Sequence, residues 1–324
     1  MALARETSAP ELSETRQATV GLAALWAGFV VLALLALQFG NPILYGIGVP
    51  LVGLALAVVC ARIGLFKAVA IRWLSWNIDK ADLAVVAALY IAVVGLFKLA
   101  FAGFGTTNTL PFFLAFAAAL LLGSVGPIVY FVWIRHRSLA ALGIGRHNLR
   151  STILLALIFG IAQFAVTLWT VKLPEPVNWV PLLAMALTVG VFETVFFRGF
   201  MQGTLEPIFG AAPAVALAAG LYALYHFGYG MGPSDMLFLF GLGVVYTVAY
   251  RITTNGLAIW PLLTPLGSFF VQVRSGDLAG QLPWISILGF ADIAAVVAVV
   301  VILAVRYQRR HAPIARLTAA SAAG

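Results

Sequence analysis

Long apolar stretches follow one another along most of the chain, and they constrain its fold more than any other feature. The clearest of them run for about 20 residues with few charges, which is the length that an α-helix needs to cross a bilayer. Lipid accepts only helices or closed barrels, and these stretches are too long and continuous for barrel strands. The sequence therefore predicts an all-α, polytopic integral membrane helical bundle.

Ten stretches are predicted transmembrane helices. The first five and the last are continuous, whereas the four between residues 179 and 273 are shorter or interrupted by Gly, Pro and charged residues. The ten are 20–39, 43–61, 82–104, 110–134, 152–171, 179–203, 212–228, 236–250, 257–273 and 284–306. The composition excludes a soluble protein, because 63% of residues are hydrophobic and 9% are charged, against about 25% charged in soluble domains.

The distribution of Lys and Arg predicts the orientation. If the N-terminus is inside and each stretch crosses once, 16 of the 19 Lys and Arg fall on the inner side, as the positive-inside rule requires. We therefore expect a plasma-membrane protein with both termini in the cytoplasm. The formal net charge of +8 lies in short clusters between apolar stretches and forms no polar stripe, so a nucleic-acid partner is not expected. The predicted partner is the lipid bilayer.

Four segments follow from this organisation. Residues 1–19 are polar and form a cytoplasmic tail, and no small-residue cleavage site follows the first apolar stretch, so that stretch is expected to be a retained helix. Residues 20–134 form a four-helix membrane region, residues 135–306 a membrane core domain, and residues 307–324 a cytoplasmic tail. The only cysteine, Cys60, excludes an intrachain disulfide.

Ionisable residues inside membrane helices are costly, so each is a candidate functional residue. The candidates are Lys98, Glu193, Arg198, His226 and Asp292. Lys98 and Asp292 have no partner in the sequence pattern and are assigned structural roles. The other three lie in the least regular part of the chain.

Glu193 must be paired, hydrogen-bonded or protonated at membrane depth. Arg198 follows five residues later, about 140° around a regular α-helix, so the two do not share a face. Either they form a structural pair that pins helices together, or Glu193 belongs to a catalytic site. A lone buried histidine such as His226 usually serves as an interhelical hydrogen-bonding group. With Glu193 on the preceding helix, however, it could form a pair that activates water.

No cofactor is predicted. The remaining histidines (His136, His147 and His311) lie on loops or in the tail without ligand spacing. If a metal is bound, we expect zinc held by Glu193 and His226.

Three segments resemble a known family. The segment ETVFFRG, residues 193–199, resembles the E-E-x-x-x-R-G signature of the CPBP family of intramembrane proteases, which includes CAAX prenyl endopeptidases and the bacteriocin-processing Abi proteins. The segment YALYH, residues 222–226, is similar to the second signature, F-x-x-x-H, with Tyr in place of Phe. The segment SLAALGIG, residues 138–145, is similar to the S-L-x-x-L-G-L lead-in of this domain. The resemblance covers residues 138 to about 275.

The chain departs from the family pattern at two places. Thr194 stands where the first signature has a second Glu. In the third signature, H-x-x-x-N or H-x-x-x-D, this chain has Pro265 at the position of the His and Phe269 at the position of the Asn or Asp. The resemblance implies that Glu193 and His226 activate water, and that the third pair would stabilise the oxyanion. Thr264 or Ser268 could donate a hydrogen bond to the oxyanion instead.

The expected function is therefore that of a CPBP-type intramembrane endopeptidase acting on membrane-embedded, prenylated or lipidated peptides. Glu193 and His226 would activate water, and Arg198 would orient Glu193 or hold the helix end. Two alternatives remain at this point. One is a catalytically inactive relative that serves as a membrane scaffold or immunity protein. The other is a small-solute transporter, although no repeat symmetry supports it.

Overall fold

The computed structural model describes residues 79–104, 109–146, 175–256 and 284–321, together with residues 28, 149, 152, 153, 156 and 157. The predicted helices 43–61 and 257–273, and most of 20–39 and 152–171, lie outside the described residues. The described part contains helices, turns and connecting loops, and it contains no strand. The prediction of an all-helical protein is thus confirmed for it.

Six long helices make up the described part. They are α1 (Lys80–Phe104), α2 (Leu110–Ile134), α3 (Pro176–Phe209), α4 (Ala211–Tyr225), α5 (Pro233–Thr253) and α6 (Trp284–Ser321). Five helical segments in the described ranges are long and apolar enough to cross a membrane: α1, α2, α3, α4 extended to Gly228, and residues Phe290–His311 of α6. These findings indicate a multi-pass membrane protein. They do not confirm the predicted number of ten.

The helix bounds differ from the predicted ones mainly where a helix continues beyond its apolar stretch. Helix α2 has the predicted bounds, 110–134. Helix α3 extends six residues beyond the predicted end at 203, and α6 continues through Ser321 instead of ending at 306. Helix α5 extends three residues beyond its predicted stretch at each end.

Helix α3 changes its hydrogen-bonding pattern in the middle. It is α-helical over Trp179–Glu193, becomes a π-helix over Thr194–Gln202, and returns to α-helix over Gly203–Phe209. All nine residues of the π segment are buried. Segments of π-helix are rare and often occur at functional sites, and this one includes most of the ETVFFRG segment.

The helices pack around an aromatic core. Helix α4 packs along α5, α1 packs against α2 and against the turn His226–Tyr229 that follows α4, and α6 packs on α2 and α3. Six phenylalanines are almost fully buried: Phe97, Phe131, Phe192, Phe196, Phe197 and Phe200. In contrast, α1 and α6 expose large aliphatic side chains, such as Ile91 and Val299, which suits contact with lipid.

The connector after α2 docks on the π segment of α3. Its turn Leu139–Leu142 ends at Gly143, which has φ 75°. A Cβ at Gly199 would collide with the Leu142 carbonyl oxygen, so only glycine permits this close backbone approach. The backbone N–H of Gly256, after α5, donates to the Gly143 oxygen at 3.0 Å. The ETVFFRG and SLAALGIG segments therefore meet in space, at Gly199 and Leu142.

Candidate active site

Glu193 lies at the end of the α-helical part of α3, immediately before the π segment, and its side chain is buried at 3% exposure. The Tyr225 hydroxyl, on α4, donates a hydrogen bond to Oε1. The second oxygen, Oε2, accepts no hydrogen bond of regular geometry, although the Tyr222 side chain is close enough to interact with the carboxyl group. Oε1 is thus fixed by Tyr225, whereas Oε2 is buried without a hydrogen bond of regular geometry.

His226 is the last residue of the YALYH segment and begins the turn after α4. Its Nδ1 lies 2.9 Å from the backbone oxygen of Tyr222. Because a carbonyl oxygen can only accept, Nδ1 must carry the proton. The neutral ring therefore presents Nε2 as its acceptor, the form that a general base requires.

The two side chains meet at a shared pair of tyrosines. The His226 ring packs on the Tyr225 ring with centroids 4.0 Å apart and meets Tyr222 edge-on at 5.2 Å. Tyr225 is also the residue that donates to Glu193. The carboxyl group predicted from α3 and the imidazole predicted from α4 are therefore brought to one aromatic cluster.

Arg198 is 1% exposed and anchors α3 to α5. Its Nη1 donates to the Thr247 hydroxyl at 2.6 Å. Its guanidinium group lies over the Tyr222 ring at 4.7 Å and over the Tyr246 ring at 5.8 Å. Nη2 is buried without a hydrogen bond.

The π segment changes the angular relation that the sequence predicted between Glu193 and Arg198. An α-helix would place them about 140° apart. A π-helix joins residue i to residue i+5, which brings residues five apart towards the same face. The two charges are close enough to interact, but they form no ion pair within 4.0 Å among the ion pairs of the described residues.

Thr194, which stands in place of the second Glu, gives Glu193 no visible support. Its side chain is buried, and its hydroxyl oxygen makes no hydrogen bond. Its methyl group faces the backbone at Gly256, so closely that a Cβ at Gly256 would collide with it. Thr194 therefore fills space beside Gly256, the residue after α5 that binds the connector.

The other two candidates are exposed residues of α1 and α6. Lys98 is exposed on α1, with Nζ 4.6 Å from the Phe227 ring centroid. Asp292 is exposed on α6. Their assignment as structural residues stays a prediction.

Sequence reasoning missed a buried ionic cluster at the other end of α1. Asp82, 3% exposed, accepts hydrogen bonds from the Tyr130 hydroxyl, from Arg135 Nε at 2.7 Å and from Arg137 Nη2 at 3.0 Å. Arg135 also pairs with Asp79. Asp82 opens its apolar stretch, so it was not counted as intramembrane, and its partners are 48 to 55 residues away in sequence.

The tyrosines of the site were also missed as polar groups. Tyr222, Tyr225 and Tyr246 are each buried at 3% exposure or less. A signal was present, because buried tyrosine hydroxyls usually have a hydrogen-bond partner, and residues 222, 225 and 226 share one helix face.

The described residues supply few metal ligands at this site. They include no group of three or more His, Cys, Asp or Glu side chains placed to hold a metal ion. A catalytic zinc usually has three protein ligands, and Glu193 and His226 would provide two. The donor set of the described part therefore does not fit a zinc centre.

The fold and this cluster define a class: a multi-pass helical membrane protein with a buried carboxyl group and a buried imidazole that contact the same tyrosine. Residues 174–264 match the family described as type II CAAX prenyl endopeptidase, Rce1-like. The resemblance to the CPBP and CAAX protease family is thereby confirmed over this range, which contains Glu193, Arg198 and His226. No curated protein and no solved structure matches the chain significantly.

The family match ends at residue 264, one residue before Pro265. Residues 257–283 lie outside the described ranges, so the third signature and the substitute donors Thr264 and Ser268 have no structural account.

Proposed function

We propose that this chain is a CPBP-type intramembrane endopeptidase that hydrolyses peptide bonds of membrane-embedded, prenylated or otherwise lipidated substrates. Glu193 and His226 form its water-activating pair. The observation that carries the proposal is the arrangement of Glu193. Its Oε1 is held by Tyr225, its Oε2 accepts no regular hydrogen bond, and an imidazole with a fixed tautomer packs on the same tyrosine.

In the proposed reaction, Glu193 Oε2 takes a proton from a water molecule while the water oxygen bonds to the peptide carbonyl carbon. His226 Nε2 accepts the second hydrogen bond of that water and orients it. The tetrahedral intermediate then breaks its C–N bond, and the leaving nitrogen takes the proton from Glu193. The products are a carboxylic acid and an amine, and Glu193 returns to its initial state. Placing water and carbonyl together in this way accounts for a large part of such an acceleration.

Arg198 is proposed to act without touching the substrate. Its guanidinium group is clamped between Thr247 and the faces of Tyr222 and Tyr246. From there its positive charge acts on Glu193 beyond ion-pair distance, and its hydrogen bond to α5 fixes the π segment that follows Glu193. No cofactor is proposed. The proposed location is the plasma membrane with both termini cytoplasmic, supported by the Lys and Arg distribution.

The test is cleavage of membrane-anchored peptides, prenylated and unprenylated, by the purified protein in liposomes. We expect Glu193→Gln to abolish turnover, because the amide keeps the size of the side chain but cannot accept the water's proton. His226→Ala should have nearly the same effect. Glu206→Gln is the matched control, since Glu206 lies on the same helix but pairs with Arg251, and it should retain wild-type rates. Equal turnover by wild type and Glu193→Gln would contradict the proposal.

Two observations favour a second function, that of an inactive relative which binds membrane proteins as a scaffold or immunity factor. Thr194 does not contact Glu193 through its hydroxyl, and Pro265 and Phe269 replace the residues implied to stabilise the oxyanion. Loss of a single oxyanion donor lowers rates about 100- to 1000-fold. A wild-type protein without turnover on the whole peptide panel would support this second function.

A further inference from the structure

We propose that Tyr225 is a positioning residue that aims the Glu193 carboxyl group towards His226, in place of support from position 194. This inference rests on the proposed function for its catalytic consequence. Its structural content, the control of one carboxyl group by one phenol, can be measured independently.

The contact itself is direct. The Tyr225 hydroxyl donates to Glu193 Oε1 across the interface between α4 and α3, 32 residues apart in sequence. Both side chains are buried, at 1% and 3% exposure. Hydrogen bonds to an ionised carboxylate are short and strong, and such a bond at membrane depth has little competition from water. The bond therefore fixes which oxygen of Glu193 is engaged and which is left for the water.

The phenol is itself held in place by rings on three sides. The Tyr225 ring packs against Phe97 at 6.1 Å, Phe192 at 5.7 Å and Phe197 at 4.9 Å between centroids. A side chain packed in this way has few alternative rotamers. The position of its oxygen is thus set by the aromatic core of α1 and α3, and not by the hydrogen bond alone.

The same helix turn also carries the imidazole. Tyr225 precedes His226 directly, and their rings pack at 4.0 Å. His226 is in turn fixed to the Tyr222 carbonyl. A movement of α4 would shift the hydrogen-bond donor and the imidazole together, so the carboxyl group follows the histidine. Tyr225 thereby couples the two proposed catalytic groups, which come from different helices.

Position 194 does not perform this task in this chain. The hydroxyl of Thr194 makes no hydrogen bond, and its methyl group faces Gly256. The support for Glu193 that the structure does contain comes from the opposite helix. The departure from the family signature at Thr194 is therefore compatible with an aligned carboxyl group.

Tyr225→Phe is a suitable test because it removes the hydroxyl and retains the ring contacts. The matched control is Tyr90→Phe. Tyr90 also donates from its hydroxyl to α4, but to the Leu221 carbonyl oxygen at 3.0 Å. In liposome cleavage assays we expect Tyr225→Phe to lower kcat about tenfold to a hundredfold with KM nearly unchanged, the loss typical of a misaligned reacting group. Tyr90→Phe should leave both constants near wild type.

A spectroscopic measurement keeps the inference testable without turnover. The chain has only 11 Asp and Glu, so an infrared difference spectrum between wild type and Glu193→Gln identifies the Glu193 carboxyl band. Tyr225→Phe should shift this band, and Tyr90→Phe should not.

An unshifted band in Tyr225→Phe overturns the inference whether or not the wild type cleaves peptides. An unchanged kcat in a protein that does cleave peptides overturns it as well. Absence of cleavage by the wild type overturns the proposed function instead, and the band shift then decides whether Tyr225 controls the carboxyl group.

Discussion

Arg198 directs its Nη1 to the Thr247 hydroxyl at 2.6 Å and forms no ion pair with Glu193. The sequence left open a structural Glu–Arg pair that pins helices together. The structure instead pins α3 to α5 through an arginine and a threonine, and Gln202 adds a second link by donating to the Thr247 carbonyl oxygen at 3.1 Å. The carboxyl group of Glu193 is therefore not paired with Arg198, the buried cation nearest to it in sequence.

The first prediction is that Thr247→Val destabilises the protein by about 1–3 kcal/mol, because it leaves a buried guanidinium N–H without an acceptor. Thr188→Val is the control. Both threonines also donate to the carbonyl four residues earlier on their own helix, Thr247 to Gly243 and Thr188 to Ala184. Only Thr247 accepts from Arg198. Denaturant unfolding in mixed micelles should show a lower free energy of unfolding for Thr247→Val and little change for Thr188→Val. An equal decrease in both variants would refute the anchoring role of Arg198.

The hydropathy pattern predicted the helices well where apolar stretch and helix coincide. Helix α2 is such a case, since Leu110–Ile134 is apolar from end to end. The hydropathy pattern failed at the end of α3, where Gly203, Glu206 and Pro207 look like helix breakers. There the helix continues to Phe209, and Glu206 forms an ion pair with Arg251 of α5. Hydropathy reports where a membrane helix loses its apolar surface, and a partner on another helix can stabilise the turns beyond that point.

The site was predictable to the extent that charge is conspicuous in an apolar stretch. Glu193, Arg198 and His226 stand out for this reason, whereas Tyr225 does not, because tyrosine is common at the ends of membrane helices. The π segment was also unpredictable, since its i to i+5 hydrogen bonding has no simple residue pattern. Both features depend on tertiary packing between α3 and α4.

The second prediction concerns the buried ionic cluster. Asp82→Asn should destabilise the protein by about 2 kcal/mol, less than the 3–5 kcal/mol of a fully buried pair, because Arg135 and Arg137 are 27% and 37% exposed. Asp79→Asn should cost no more than about 0.5 kcal/mol, since Asp79 is 43% exposed. Asn also caps a helix as well as Asp does, so position 79 can still accept the hydrogen bonds from the backbone N–H groups of Ala81 and Asp82. A smaller decrease in the free energy of unfolding for Asp82→Asn than for Asp79→Asn, measured in mixed micelles, would contradict this ranking.

The third prediction tests the close approach between α3 and the connector. Gly199→Ala should destabilise by more than about 2 kcal/mol, the scale of overpacking, because the new methyl group would collide with the Leu142 carbonyl oxygen. Gly220→Ala, on α4, places a methyl group where no atom lies within 4 Å in the described structure. It should be neutral or stabilising by up to about 1 kcal/mol through helix propensity. Tolerance of alanine at both positions would mean that the connector does not pack as described.

The last prediction is the orientation of the chain in the membrane. Sixteen of the 19 Lys and Arg fall on one side if each predicted stretch crosses once, and this bias sets the orientation of membrane helices. Reporter fusions at Gly145 and Gly324 should therefore report a cytoplasmic location, and a fusion at Asn108, between α1 and α2, an external one. Replacing Arg135 and Arg137 together should weaken the preference of the C-terminal end of α2 for the cytoplasmic side, because these are the basic residues nearest to that end. An external signal at Gly324 with an internal one at Gly145 would require an odd number of crossings between them and would rule out the ten-helix arrangement.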